Sequence, residues 1–189
     1  MINIPYHLIL ASNSPRRREL LTGLDLKYEV RIIPDIKENY PKQLTPQEIP
    51  QYLACQKAKA YTLADKEMLI TADTIVVLNG EMLGKPKDEE EARNMLKKLS
   101  GCTHTVITGV ALTTLAKQHA FQVETEVTFK QLSDKEINYY ISTYHPFDKA
   151  GAYGIQEWIG YIGVTSLTGS YFNVMGLPVQ RIYEEILRF

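Results

Sequence analysis

The 189-residue sequence has only two cysteines and one tryptophan, and no apolar run long enough to cross a bilayer. Cys55 and Cys102 cannot build a disulfide framework, and no Cys/His spacing matches a zinc site. The opening stretch MINIPYHLILASNSP has neither a basic n-region nor an adequate apolar core for export, so a cytoplasmic protein without a membrane partner is expected. Charge of one sign is not in excess: 21 Lys and Arg stand against 22 Asp and Glu, a net charge of −1. No global field recruits nucleic acid, none is expected as a partner, and any anion binding has to be local. A P-loop, a GxGxxG after the first strand and a Gly-x-Ser-x-Gly elbow are also missing. His7, His104, His119 and His145 show no triad spacing, so the usual ATPase, dinucleotide and serine-hydrolase readings lose their main support.

Hydrophobic residues at 44% and charged residues at 23% suffice for a real core. Without repeats, linkers or low-complexity segments, residues 1–189 read as a single domain, with room for two lobes around a cleft. The apolar run His7–Ala11 predicts a buried strand leading into Ser14-Pro15, a good N-cap and first-turn pair for a helix that ends near Gly23. Arg16, Arg17 and Arg18 then crowd the first turn, where the helix dipole disfavours cations. A phosphate would reverse the sign of that penalty, and a solvated basic turn is the alternative.

Further along, Tyr28–Ile33 predicts a second strand closed by Pro34. Thr45, Pro46 and Glu48 form a capping box, with Pro50 implying a distorted first turn or a later start. The helix is expected to reach about Asp65 with an apolar stripe of Ile49, Leu53, Ala60 and Ala64. Lys57 lies on that stripe, either snorkelling past the core edge or meeting an anion. Met68–Thr71 and Ile75–Leu78 read as strand segments interrupted by Ala72-Asp73-Thr74. Asp73 there either caps backbone N–H groups or holds a metal or a water. Asn79-Gly80 is a hairpin turn, and Gly84-Lys85-Pro86 fixes the direction of a lysine.

Asp88 caps a helix to Leu99. His104–Leu115 and Phe121–Lys130 read as antiparallel strands, the second with Glu124 and Glu126 on one face, solvated or lining a cleft. Ser133 and Glu136 make another capping box for a helix ending before His145-Pro146. Phe147–Gln156 packs small residues around Lys149 and Gln156, for close approach to a ligand or only for a tight turn. Gly169–Pro178 reads as a glycine-punctuated loop, and an amphipathic helix from Val179 to Leu187 ends the chain. Arg16, Arg17, Lys57, Lys85 and Lys149 on loops and helix starts, with Asp73 and Glu38, are the parts for polyphosphate chemistry. On the residues alone the reading stops at a phosphate-ester or nucleotide hydrolase.

Five segments carry a resemblance: SNSPRRRELL (Ser12–Leu21), ADT (Ala72–Thr74), GKP (Gly84–Pro86), DKAGAYGIQ (Asp148–Gln156) and SYFNVMGLP (Ser170–Pro178). In this order they resemble the Maf family. The resemblance implies an α/β fold, an elongated mixed β-sheet flanked by helices with a central cleft, similar to inosine triphosphate pyrophosphatases. It implies a nucleoside triphosphate pyrophosphatase using Mg²⁺ or Mn²⁺, a homodimer, and a link to inhibition of septum formation. Carried over by residue, Asp73 is the proton acceptor, with Lys57 and Lys85 in the catalytic set. Ser14, Arg16, Arg17, Thr74, Lys149 and Gln156 contact the nucleotide, and Glu38 with Asp73 holds metal. The AYGIQ form with Arg16 and Thr74 resembles the subgroup acting on dTTP and UTP. A Gln156 amide can donate to a pyrimidine carbonyl and accept from the ring N3–H, which cytosine lacks. Where the family commonly has two acids after the second strand, this chain has Lys37-Glu38, so Glu38 or Asp35 must supply the metal contact. A second expectation, of another class, is a nucleotide-sensing regulator of cell division with little hydrolysis.

Overall fold

A computed structural model describes residues 4–189; residues 1–3, the start of the stretch read for an export signal, lie outside the described residues. Strand β1 (His7–Leu10) buries its last three residues and leads through Ser12 into helix α1 (Pro15–Thr22). Ser14 is the N-cap, its hydroxyl accepting from the Arg17 N–H at 3.4 Å, and Gly23 closes the helix. Strand β2 is Tyr28–Val30, shorter than the expected Tyr28–Ile33. The reason lies in its neighbour: Arg31 N–H reaches Leu10 O, where β1 ends, and Ile33 N–H turns to the Tyr61 hydroxyl.

Helix α2 (Ile49–Ala58) takes the later start that Pro50 implies. Glu48 still collects the N–H and hydroxyl of Thr45, both at 2.8 Å, one turn ahead of the helix. It does not continue to Asp65. The N–H groups of Lys59, Ala60 and Tyr61 bond three residues back, which tightens and ends the helix, and leaves Ala60 and Ala64 exposed rather than on an apolar stripe. Strand β3 (Glu67–Leu78) runs twelve residues without the interruption expected at Ala72-Asp73-Thr74. An acid inside a strand looks like a break in one dimension only, because the residue that matches its charge lies elsewhere in the chain. Asn79 and Gly80, both at positive φ, turn β3 into β4 (Glu81–Leu83), pairing Leu78 with Glu81.

Helix α3 (Glu89–Leu99) is capped by Asp88 as expected. Strands β5 (Thr103–Thr113) and β6 (Gln118–Phe129) are sheet neighbours joined by residues 114–117, too short a connection for anything but an antiparallel pair. Helix α4 (Asp134–Tyr144) shows both halves of the Ser133/Glu136 capping box. Short 3₁₀ turns at Pro146–Asp148 and Ala150–Ala152 precede α5 (Trp158–Gly163) and β7 (Val164–Thr168). The segment expected as a glycine loop contains a helical turn, α6 (Tyr171–Met175), fixed by buried Asn173, whose amide donates to Val106 O and Thr125 Oγ1. Helix α7 (Val179–Arg188) ends the chain.

Among the described residues the seven strands form one sheet, ordered β2-β1-β3-β5-β6-β7 with β4 on β3. β1 is parallel to β2 and β3, while β4 and β7 are antiparallel to β3 and β6. This is a mixed sheet with flanking helices, the α/β class expected. The chain divides into two units: the described part of Met1–Asp73 with Thr108–Val123 and Gly176–Phe189, and Thr74–Ile107 with Glu124–Met175. In the first, Ile9, Leu69 and Ala58 pack together under Tyr61 and Leu63. In the second, Ile75, Val77 and Ile107 form a cluster with Met82, and α3 packs on α4. Glu124 and Glu126 are exposed. No described helix is long and apolar enough to cross a membrane.

Candidate active site

In the first unit the site is built by the register of α2 along β3. Thr71 and Asp73 share a face of the strand, and Ala54 and Lys57 share a face of the helix. Buried Thr71 donates to Ala54 O at 2.7 Å, and one step along both elements Lys57 Nζ donates to Asp73 Oδ1 at 2.7 Å. Gly109 lets α2 sit this close: a Cβ there would stand 2.2 Å from the backbone of Pro50 and Gln51. Lys57 also meets Glu38 Oε1 at 3.0 Å, so the lysine on the helix stripe finds carboxylates rather than snorkelling to water. Both Lys57 and Asp73 side chains are largely buried, at 15% and 13% exposed.

The arginine turn lies in the same unit. Arg17 Nη1 donates to Ala72 O at 2.9 Å and Nε to Gly176 O at 2.8 Å, which ties α1 to the backbone beside Asp73. Burial lowers the Arg17 pKa; Asp73 opposes this, Arg16 adds to it and Glu38 opposes it. The charge at the helix start therefore has protein acceptors and does not depend on a phosphate alone. Arg18 Nη2 donates to Asn13 Oδ1. Ser14 donates its N–H to Ser12 Oγ at 3.2 Å while capping α1. Of the two acids offered for metal, Glu38 is the one brought to Lys57; Lys37 and Asp35 are exposed.

Two carboxylates at one ammonium are oxygen donors of the kind Mg²⁺ and Mn²⁺ take, and Mg²⁺ commonly uses one or two carboxylates with substrate phosphates completing its shell. The donor set fits a substrate-completed divalent cation. It does not fit an all-protein cage, since the described residues hold no group of three or more His, Cys, Asp or Glu arranged for metal.

The second unit holds Thr74, Lys85, Lys149 and Gln156. Lys85 is exposed in its tight turn at the rim of a cavity of about 200 Å³ whose walls include Met82, Glu91 and Asn94. The turn is joined to the glycine-rich loop by Gly151 N–H to Gly84 O at 3.0 Å. Lys149 is buried, its Nζ 2.7 Å from Asp148 Oδ1 and 3.1 Å from Glu157 Oε1. Gln156 Oε1 is buried without a hydrogen-bond partner in the chain. Tyr140 donates to Glu157 Oε2 and accepts the Gly154 N–H. Neither Tyr140 nor Glu157 stands out in the sequence. Tyr140 reads as core with Ile137 and Ile141, and only its position next to Gln156 sets Glu157 apart.

The fold is that of an α/β protein of mixed sheet, and its first unit gathers Lys57, Arg17, Glu38 and Asp73 around β3 while its second holds Lys149 and Gln156 in a glycine-rich loop. The chain belongs to the family described as Maf-like protein, which it matches over residues 7–189. It is 63% identical to the dTTP/UTP pyrophosphatase of Phocaeicola vulgatus over 96% of this chain and 95% of that protein. It is 57% identical to the dTTP/UTP pyrophosphatase of Parabacteroides distasonis, covering 97% and 96%. A solved structure of the Staphylococcus aureus Ham1 protein is 18% identical, with a TM-score of 0.48 over 65% of this chain and 71% of that one.

Proposed function

We propose that the chain hydrolyses dTTP and UTP to the nucleoside monophosphate and pyrophosphate. The observation that carries the reading is identity of 63% and 57% along nearly the whole chain to relatives that bear that name. The site chemistry supports it. Water attacks the α-phosphorus, the bond to the bridging oxygen of the leaving pyrophosphate breaks, and the proton passes from water to Asp73. Lys57 fixes that carboxylate through Oδ1. Ser14, Arg16, Arg17, Lys85 and Lys149 hold phosphate charge, and Thr74 and Gln156 select the base, Gln156 Oε1 accepting from the pyrimidine N3–H. Glu38 and Asp73 would hold a divalent cation, Mg²⁺ or Mn²⁺, which when bound draws charge from phosphate oxygens. Cytoplasmic residence, a homodimer and a link to septum formation belong to the same reading and rest on the family resemblance.

The test is pyrophosphate release across dTTP, UTP, CTP, purine triphosphates and modified pyrimidine triphosphates, with Mg²⁺, Mn²⁺ or chelator. Release from dTTP and UTP, poor use of CTP and loss with chelator are expected. Turnover confined to purine triphosphates would overturn the base assignment. Asp73→Asn should lower kcat by roughly 10²–10⁴-fold, the range of a lost general base.

A further inference from the structure

Glu157 occupies the N-cap position of α5 yet makes no capping bond with its side chain. Its carboxylate is used elsewhere. Oε2 accepts from the Tyr140 hydroxyl, which itself accepts the Gly154 N–H at 3.0 Å, and Oε1 accepts from Lys149 Nζ at 3.1 Å. One side chain thus reaches both ends of the loop 149–156. Gly154 allows it to fold back: a Cβ there would meet Glu157 Cδ at 2.9 Å, Glu157 Oε2 at 3.0 Å and Gln156 Nε2 at 3.1 Å. The Glu157 carboxylate and the Gln156 amide nitrogen therefore close over the same spot, while Gln156 Oε1 is left buried and unpartnered. A carboxylate attracts the NH₂ edge of an amide and repels its oxygen. Glu157 and Gln156 share no hydrogen bond, so the carboxylate acts on the amide through its charge, favouring the NH₂ edge on its own side.

We propose that Glu157 is a positioning residue: through Tyr140 and Lys149 it holds the loop 149–156, and through Gln156 it fixes the acceptor sense that favours uracil and thymine over cytosine. The proposal rests on the nucleotide pyrophosphatase reading above. Glu157 touches no reacting atom in this account, so its loss acts on binding and base choice and leaves the α-phosphorus step to Asp73.

The experiment compares wild type, Glu157→Gln, Glu157→Ala and Tyr140→Phe for kcat and KM on dTTP, UTP and CTP. Hydrogen–deuterium exchange over residues 149–156 is followed in parallel. Glu157→Ala is expected to raise KM for dTTP and UTP by about ten- to a hundredfold, the effect of lost charge-assisted hydrogen bonds, with kcat little changed. Its preference for UTP over CTP should narrow by about tenfold, and exchange in the loop should quicken. Glu157→Gln, which keeps the shape and one acceptor, should fall between, and Tyr140→Phe, which leaves the Lys149 contact of Glu157 in place, should show the same changes in smaller measure. Wild-type KM and UTP/CTP preference in Glu157→Ala would overturn the proposal, as would a loss confined to kcat. If wild type itself releases no pyrophosphate, the functional reading fails. The exchange data then decide the loop role separately: quickened exchange upholds the clamp, and unchanged exchange removes it.

Discussion

Asp73 and His104 are both sheet residues withdrawn from water, and the protein treats their charges in opposite ways. Asp73 keeps a partner, the Lys57 ammonium at 2.7 Å. His104 has none for a positive charge: it is 2% exposed, its Nε2 shares a 2.7 Å hydrogen bond with the Tyr153 hydroxyl, and Phe129 and Tyr153 pack on its ring. Burial pulls its pKa down to about 4. The unfolded chain, with an ordinary imidazole near 6.5, binds more protons than the folded one between these values. Stability should therefore fall as pH drops from about 6.5 to about 4, by roughly 3 kcal/mol from this residue when complete. Urea unfolding across that range measures it, and His104→Gln, which keeps an acceptor for Tyr153 but does not titrate, should flatten the slope. Glu67 and Glu136 belong to a lower window. Hydrogen bonds from Arg31 and Lys130 hold each at about 2, so their contribution is lost only below about 4.5.

At the scale of elements, caps were legible and continuations were not. Asp88, Ser133 and Ser14 announce helix starts because a side-chain oxygen two or three residues before a backbone N–H is a local fact. Ser133→Ala should cost about 1 kcal/mol in chemical denaturation and leave kcat unchanged. The end of α2 and the unbroken run of β3 depended on partners distant in sequence. Lys57 could be placed on a helix stripe, but not joined to Asp73, sixteen residues on, without the register set by Thr71 and Ala54. For the same reason the clamp of Glu157 on Tyr140 was invisible, while the loop it holds was marked by its small residues. That register is also a prediction. Gly109→Ala would drive a methyl group into the backbone of Pro50 and Gln51, so α2 must shift. The variant should lose about 1–3 kcal/mol of stability, or more, and should lose turnover as Lys57 moves from Asp73. A stable Gly109→Ala protein with full kcat would show that α2 can shift without parting Lys57 from Asp73.

For the whole molecule, near-neutral charge decides how a polyanion can be bound. With 21 basic and 22 acidic residues there is no net field to draw a triphosphate from a distance, so affinity must come from local contacts. A ligand that binds only the folded state stabilises it by RT ln(1 + [L]/Kd), about 2.7 kcal/mol at a hundredfold excess over Kd. In a chain of this size each kcal/mol corresponds to about 2–4 °C, so the shift should be about 5–10 °C. Asp73→Asn is the form in which to look, because it should turn dTTP over too slowly to deplete it during the measurement while Glu38 is left to hold the metal. With Mg²⁺, dTTP and UTP should raise its Tm by that amount and CTP by clearly less, the base preference being read from binding. Chelator should reduce the shift if metal completes the phosphate site between Glu38 and the substituted position. Equal shifts with dTTP, UTP and CTP would place the selectivity in the chemical step and remove it from Gln156.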